Sequence, residues 1–301
     1  MIGRRRFISI IAGAGLGLAM GPAAAAGRAY RWKGTALGAA AQIVLPRENA
    51  PDLVATALAE VARLERIFSL YRRDSALSRL NAAGQLSDPP PELLELLGIC
   101  RAVHRMTGGA FDPTIQPLWR LYAEAYSSGR KPSQGEIDNA LQSTGWDLLH
   151  FSPKEIGFRA AGCALSLNGI AQGYITDRVA QLLRAEGLSN VLVDMGEIVA
   201  LGRRPDGRPW QVAVDDHIGQ RVLPVSHGAI ATSSSLGTAF DPAGTVGHIL
   251  DPRTGKSTSA WHHVTVTGPK AALADGISTG LCIMCESECR SIPLDYTIRR
   301  I

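Results

Sequence analysis

With 301 residues, 46% of them hydrophobic and 19% charged, the chain has ample apolar material for a core, which excludes extensive disorder. Three arginines and no acids lie in residues 1–26, so the remainder carries 28 basic against 27 acidic residues, a net charge of +1. That balance, with no basic tail and no aromatic residues interleaved with Lys or Arg, argues against nucleic acid as a partner.

Residues 1–26 read as an export signal: a basic start, an apolar stretch from Phe7 to Met20, and small residues Ala23 to Ala26 that offer a cleavage site. The stretch is too short and Gly-rich to span a bilayer. Arg4, Arg5, Phe7 and Ile8 fit the twin-arginine pattern of proteins exported folded. No cysteine precedes Cys100, so no lipid-anchored cysteine follows the signal. The expectation is a soluble periplasmic protein of one bilobed domain, residues 27–301, with no stable membrane insertion.

Apolar spacing predicts a helix over 52–71 (Leu53, Ala57, Val61, Leu64, Phe68) and another over 91–106, opened by Pro91 and closed by Gly108 and Gly109. In TGGAFDPTIQPLW (107–119), the glycines allow close backbone approach, and Asp112 before Pro113 is held at a turn. In SLNGIAQGYITDRV (166–179), Gly169 and Gly173 bracket a turn whose free N–H groups suit an anion, ahead of a helix over 174–186 that Gly187 closes. NVLVDMGEIVALG then reads as strand, followed by WQVAVD, GAIATS, GHILD and HHVTVTG. Strands gathered in the C-terminal half after helices in the first half indicate α+β, with some α/β character around the third helix.

A last helix, 271–284, is nearly all apolar yet carries Asp275. A buried charge needs a partner or a cation. Thr279, four residues on, shares its face, so the two present three oxygens to one point, a donor set suited to magnesium. The competing reading is an acid near a helix N-terminus. The five cysteines form no disulfide framework, and Cys282 and Cys285 continue this helix as small hydrophobes; Glu286 stands where a haem motif needs histidine. TGKS at 254–257 is no phosphate loop, since Leu250 occupies the required glycine position. His248 is placed at the start of the GHILD strand, with Asp251-Pro252 at its end.

Taken in order, FSLYRRDSALSRLN, GGAFDPTIQPLW, LNGIAQGYITDRVAQLL, NVLVDMGE, GHILDPRTG and AALADGISTG resemble the ApbE family of FAD:protein FMN transferases, over nearly the whole chain from GTALG at 34 to Met284. The resemblance implies the ApbE-like flavin transferase fold, mixed or antiparallel sheets flanked by helices. It implies Mg2+-dependent transfer of FMN from FAD to a Thr or Ser hydroxyl of an acceptor flavoprotein, with release of AMP. It assigns the metal to Asp275, Thr279 and the Ala171 carbonyl, and the flavin nucleotide to Leu37, Tyr71, Ala110, Phe111, Asp112 and Asn168. His248 would assist proton transfer from the acceptor, so His248 and Asp275 are the implied catalytic pair. The usual loop D-L-S-G-I-A-K-G departs here at Ser166, Asn168 and Gln172, and Leu37 stands where methionine is common. The S-L-N-G-I-A-Q-G-Y form, the twin-arginine-like start and IFSLYRRDSALSRLN resemble the NosX branch, accessory to nitrous-oxide reduction, whose implied acceptor is NosR. An FAD pyrophosphatase giving FMN and AMP, and a non-catalytic periplasmic flavin-binding assembly factor, are the alternatives.

Overall fold

The computed structural model describes residues 29–45, 50–215 and 220–300; residues 1–26, read as an export signal, lie outside them. The chain opens with a hairpin, β1 (Tyr30–Ala36) and β2 (Ala39–Leu45), then α1 (Pro51–Phe68), α2 (Ala76–Ala83), β3 (Gln85–Ser87), α3 (Pro91–Met106), α4 (Gln116–Ser127) and α5 (Gln134–Gln142). Next come β4 (Leu149–Phe151), β5 (Glu155–Phe158), α6 (Ala171–Ala185), β6 (Val191–Asp194), β7 (Ile198–Leu201), β8 (Trp210–Asp215), β9 (Gln220–Val225) and β10 (Gly228–Ser234). The described chain closes with β11 (His263–Gly268), α7 (Ala271–Leu281) and β12 (Thr297–Arg300).

A seven-stranded sheet runs β1-β2-β6-β7-β10-β11-β12, and every neighbouring pair in it is antiparallel. Alternate residues face opposite sides, as the pleat requires. Ile43, Val193, Val199 and Ala231 join a core shared with α1, α3, α6 and α7, while Val44, Leu192, Ile198 and Ile230 pack with Trp210, Val212 and Leu223 of the β8–β9 hairpin. Both faces are therefore buried, which is why VLV and IVAL read as continuous apolar runs rather than alternating ones. A smaller antiparallel sheet, β3-β5-β4, stands apart.

The chain has the α+β architecture expected, with corrections. NVLVDMGEIVALG is a hairpin, turned at Gly196 (φ 101), and not one strand. No parallel pair occurs among the described residues, so the α/β character expected around α6 is absent. Strands are not confined to the C-terminal half: β1 and β2 extend the main sheet next to β6. The Ala-rich start of β2 carries little β preference of its own, and pairing with β1 on one side and with β6, Gln42 opposite Asp194, on the other supplies it. GHILD is not a strand; Gly247 makes only an isolated bridge with Ala239. The first helix stops at Phe68, because Ser69 turns extended and its Oγ accepts the N–H groups of Tyr71 and Arg72. The last stops at Leu281, which leaves Cys282 buried but Cys285 exposed, against the expectation for Cys285. The third begins at Ala171, so Gly173 lies inside it.

Candidate functional site

α6 and α7 meet by their N-termini, and each caps the other. Asp177 of α6 accepts the N–H groups of Ala271 and Ala272, both at 3.0 Å, and Asp275 of α7 accepts the N–H of Gly173 through Oδ2 at 3.0 Å. Backbone donors at a helix start favour a carboxylate there. The anion that the 166–179 turn invited is thus the protein's own Asp275. Asp275 sits in the second turn of α7, away from the N-terminus of its own helix, and is 4% exposed. Burial pushes its carboxyl well above the usual carboxylate range, and the charge of Asp177 adds to this, against the lowering by the Gly173 bond. No hydrogen bond from a described residue reaches Oδ1.

Asp275 lines a cavity of about 370 Å³. Thr279, one turn further on, also lines it; its Oγ1 lies 3.3 Å from the Gly169 carbonyl oxygen and 3.2 Å from Ser233 Oγ. Ala171 opens α6 two positions after Gly169, whose carbonyl lies against the Thr279 hydroxyl. Among the described residues no three His, Cys, Asp or Glu side chains converge as a metal centre would require. A cation here would be held by one carboxylate with a hydroxyl and a carbonyl, all oxygen donors, which fits a hard divalent ion that keeps places for other ligands.

The other sequence-predicted residues divide. Ala110, Phe111, Asp112, Asn168 and His248 line the same cavity. Thr107 shapes the loop that carries the first three: its hydroxyl donates to Val103 O and accepts the N–H of Phe111. Asp112 Oδ1 accepts from the N–H and hydroxyl of Thr114, and burial raises its pKa. Tyr71 is 53% exposed and lines a second recess that shares Asn168 and Trp119 with the main cavity. Leu37 sits in the β1–β2 turn at φ 55, outside the lining, while Ala39 and Ala40 of that hairpin line it.

His248 is held by two bonds to Thr238 O, from its backbone N–H and from Nδ1, both at 3.0 Å. A carbonyl can only accept, so Nδ1 carries the proton and Nε2 keeps its lone pair. Burial lowers the pKa of the imidazole, which favours this neutral form.

The motif reading missed two carboxylates, Asp194 and Glu197, at the β6–β7 turn. Both line the cavity; Gly196 N–H donates to Asp194 Oδ1 at 3.2 Å, and Thr232 N–H donates to Glu197 Oε2 at 3.2 Å. Burial pushes Asp194 up to about 6, and burial with the charge of Asp275 raises Glu197 far above its ordinary value. The signal was available: two acids within the apolar run VLVDMGEIVAL pose the same question as Asp275 in its helix. Among the described residues, four carboxyl side chains and no Lys or Arg therefore line the cavity.

The ApbE family matches residues 37–292. An FAD:protein FMN transferase of Vibrio cholerae (serotype O1, strain ATCC 39541) is 32% identical over 233 residues, 72% of this chain and 69% of that protein. One of Escherichia coli (strain K12) is 28% identical over 242 residues, 73% and 67% of the two chains. Among solved structures, the apo form of the Pseudomonas stutzeri flavinyl transferase ApbE superposes with a TM-score of 0.79 at 26% identity, covering 91% of this chain and 94% of that one. The ApbE protein of Thermotoga maritima superposes at 0.78 with 29% identity, covering 85% and 87%.

Proposed function

Because this chain belongs to the ApbE family, we propose that it is an FAD:protein FMN transferase, moving FMN from FAD to a threonine or serine hydroxyl of an acceptor flavoprotein and releasing AMP. The observation that carries the reading is a cavity walled by Asp112, Asp194, Glu197 and Asp275 with no Lys or Arg among the described residues, and with Thr279 and Gly169 also lining it. An anionic pyrophosphate is repelled by such a wall unless a cation accompanies it. Mg2+ is the proposed ion; when bound it would neutralise pyrophosphate charge and stabilise the charge that develops on the leaving AMP.

The chain's own groups supply the rest. The acceptor oxygen bonds to the phosphorus on the FMN side, the bond from that phosphorus to the bridging oxygen breaks, and AMP leaves with the electron pair. His248 Nε2 takes the hydroxyl proton. His248→Gln is expected to lower the transfer rate by about 10²–10⁴-fold while FAD binding, followed by flavin fluorescence, is retained. Loss of binding together with rate would instead make His248 a binding residue.

We place the protein in the periplasm on the strength of residues 1–26. No described helix is long and apolar enough to cross a membrane. The NosX branch, and with it a NosR-like acceptor, rests on the S-L-N-G-I-A-Q-G-Y form and the 67–81 stretch. The deciding experiment incubates protein, FAD and Mg2+ with and without a NosR flavin domain, reading AMP and acceptor mass. AMP with an FMN-sized gain on one Thr or Ser supports the transferase. AMP with free FMN despite the acceptor supports a pyrophosphatase, and bound intact FAD supports a carrier.

Stability gives an independent check of the cation. Between its ordinary value of 3.8 and about 6, folded Asp194 holds a proton that the unfolded chain has already released, so metal-free stability falls as pH rises through that window. Asp275 and Glu197 shift in the same direction. Above it Asp194 is charged, and Asp275, pushed up to about 7 by burial, follows. Mg2+ is therefore expected to raise the melting temperature more at pH 8 than at pH 5, where protons already occupy the acids; equal shifts would contradict a cation among these groups.

A further inference from the structure

Ser233 belongs to no element of the reaction described so far, yet it lines the cavity from the end of β10 and touches the helix that carries Asp275. Its Oγ lies 2.7 Å from Ser278 Oγ and 3.2 Å from Thr279 Oγ1. The direction of these bonds follows from counting protons. Ser278 Oγ spends its one proton on the Asp275 carbonyl at 2.9 Å, and a carbonyl can only accept. The 2.7 Å contact therefore uses the proton of Ser233, which donates to Ser278. The Ser233 lone pairs are left facing Thr279.

Thr279 has two acceptors within reach for its single proton, the Gly169 carbonyl at 3.3 Å and Ser233 Oγ at 3.2 Å. A hydroxyl that offers a lone pair to a cation must turn its proton away from it. The Gly169 carbonyl is an oxygen that a cation beside Thr279 would also claim, whereas Ser233, its own proton spent on Ser278, is left to accept.

Resting on the transferase reading and its cation, we infer that Ser233 is a positioning residue for Thr279: the ordered chain Thr279 to Ser233 to Ser278 to the Asp275 carbonyl fixes the Thr279 lone pair toward the cavity. The chain ends on the backbone of the very residue that supplies the carboxylate. One α7 turn and one β10 side chain thus hold the Thr279 hydroxyl, while the Gly173 N–H holds the Asp275 carboxylate. Partners of this kind hold a ligand in its binding orientation, and removing one weakens metal affinity by about 10–100-fold.

The test reads metal binding directly, without FAD or turnover. Mn2+ binding to the full protein, followed by loss of the free-ion electron paramagnetic resonance signal, is compared for wild type, Ser233→Ala, Ser233→Thr, Ser278→Ala and Asp275→Ala. Ser233→Ala is expected to weaken binding about 10–100-fold with an unchanged melting temperature, Ser233→Thr to restore it, and Ser278→Ala to weaken it less. Mn2+ binding to Ser233→Ala as tight as to wild type, while Asp275→Ala loses it, overturns the inference and leaves the transferase reading intact. A wild-type protein that binds no Mn2+ overturns the cation site, and the inference with it. Should Ser233→Ala fail to fold, Ser278→Ala decides: wild-type affinity there breaks the proposed chain.

Discussion

AMP release from FAD at saturating Mg2+ falls by about a thousandfold when Asp275 is replaced by asparagine, since several kcal/mol of charge stabilisation, about 4, corresponds to three decades of rate. The amide keeps an oxygen that can accept the Gly173 N–H, now made by Oδ2 at 3.0 Å, but removes the carboxylate that lines the cavity one helical turn before Thr279. The fold should not suffer. Burial already penalises the charged form of this group, so at pH 8 without metal the variant melts no lower than wild type. A large drop in melting temperature with activity intact would mean that Asp275 only caps α6, the modest role that an acid among Ala, Leu and Ile first suggested.

Gly173→Ala is the substitution expected to damage the fold most. A methyl group there would collide with the carbonyl of Ala271 and come within 2.8 Å of the Ala272 nitrogen, so the obstacle is backbone and cannot rotate aside. The cost is about 3 kcal/mol or more, a loss of roughly 6–12 °C in melting temperature for a chain of this size. Because the same contact holds Gly173 N–H against Asp275, activity falls too. Gly98, in the middle of α3 with open space around it, is the control: Gly98→Ala should be neutral or stabilise by up to about 1 kcal/mol. If both variants melt alike, the close approach of α6 and α7 is not what the glycine serves.

These two glycines look alike as single letters in helical sequence, and their opposite expectations show what each level of information contains. Local periodicity was enough for α3, whose bounds Pro91–Met106 coincide with those read from spacing, and for the buried face of α1, because a helix is specified by residues three and four apart. It was enough to mark Asp275 and Thr279 as a pair on one face. The family resemblance assembled from six ordered motifs, from 34 to Met284, overlaps nearly all of residues 37–292, which the family matches.

The tertiary structure alone decided the rest. Asp194 and Glu197 reach the cavity because β6 pairs with β2, some 150 positions away, and turns at once into β7; no local pattern encodes such a pairing. The identity of the carbonyl beside Thr279, the separation of Tyr71 into its own recess, and the proton direction through Ser233 all depend on where α6, α7 and β10 pack. The sequence by itself determined which residues carry charge or oxygen in apolar surroundings, since burying such groups is costly wherever they fold. Which of them face one another was decided by packing, because distances between residues remote in the chain are set by the core as a whole.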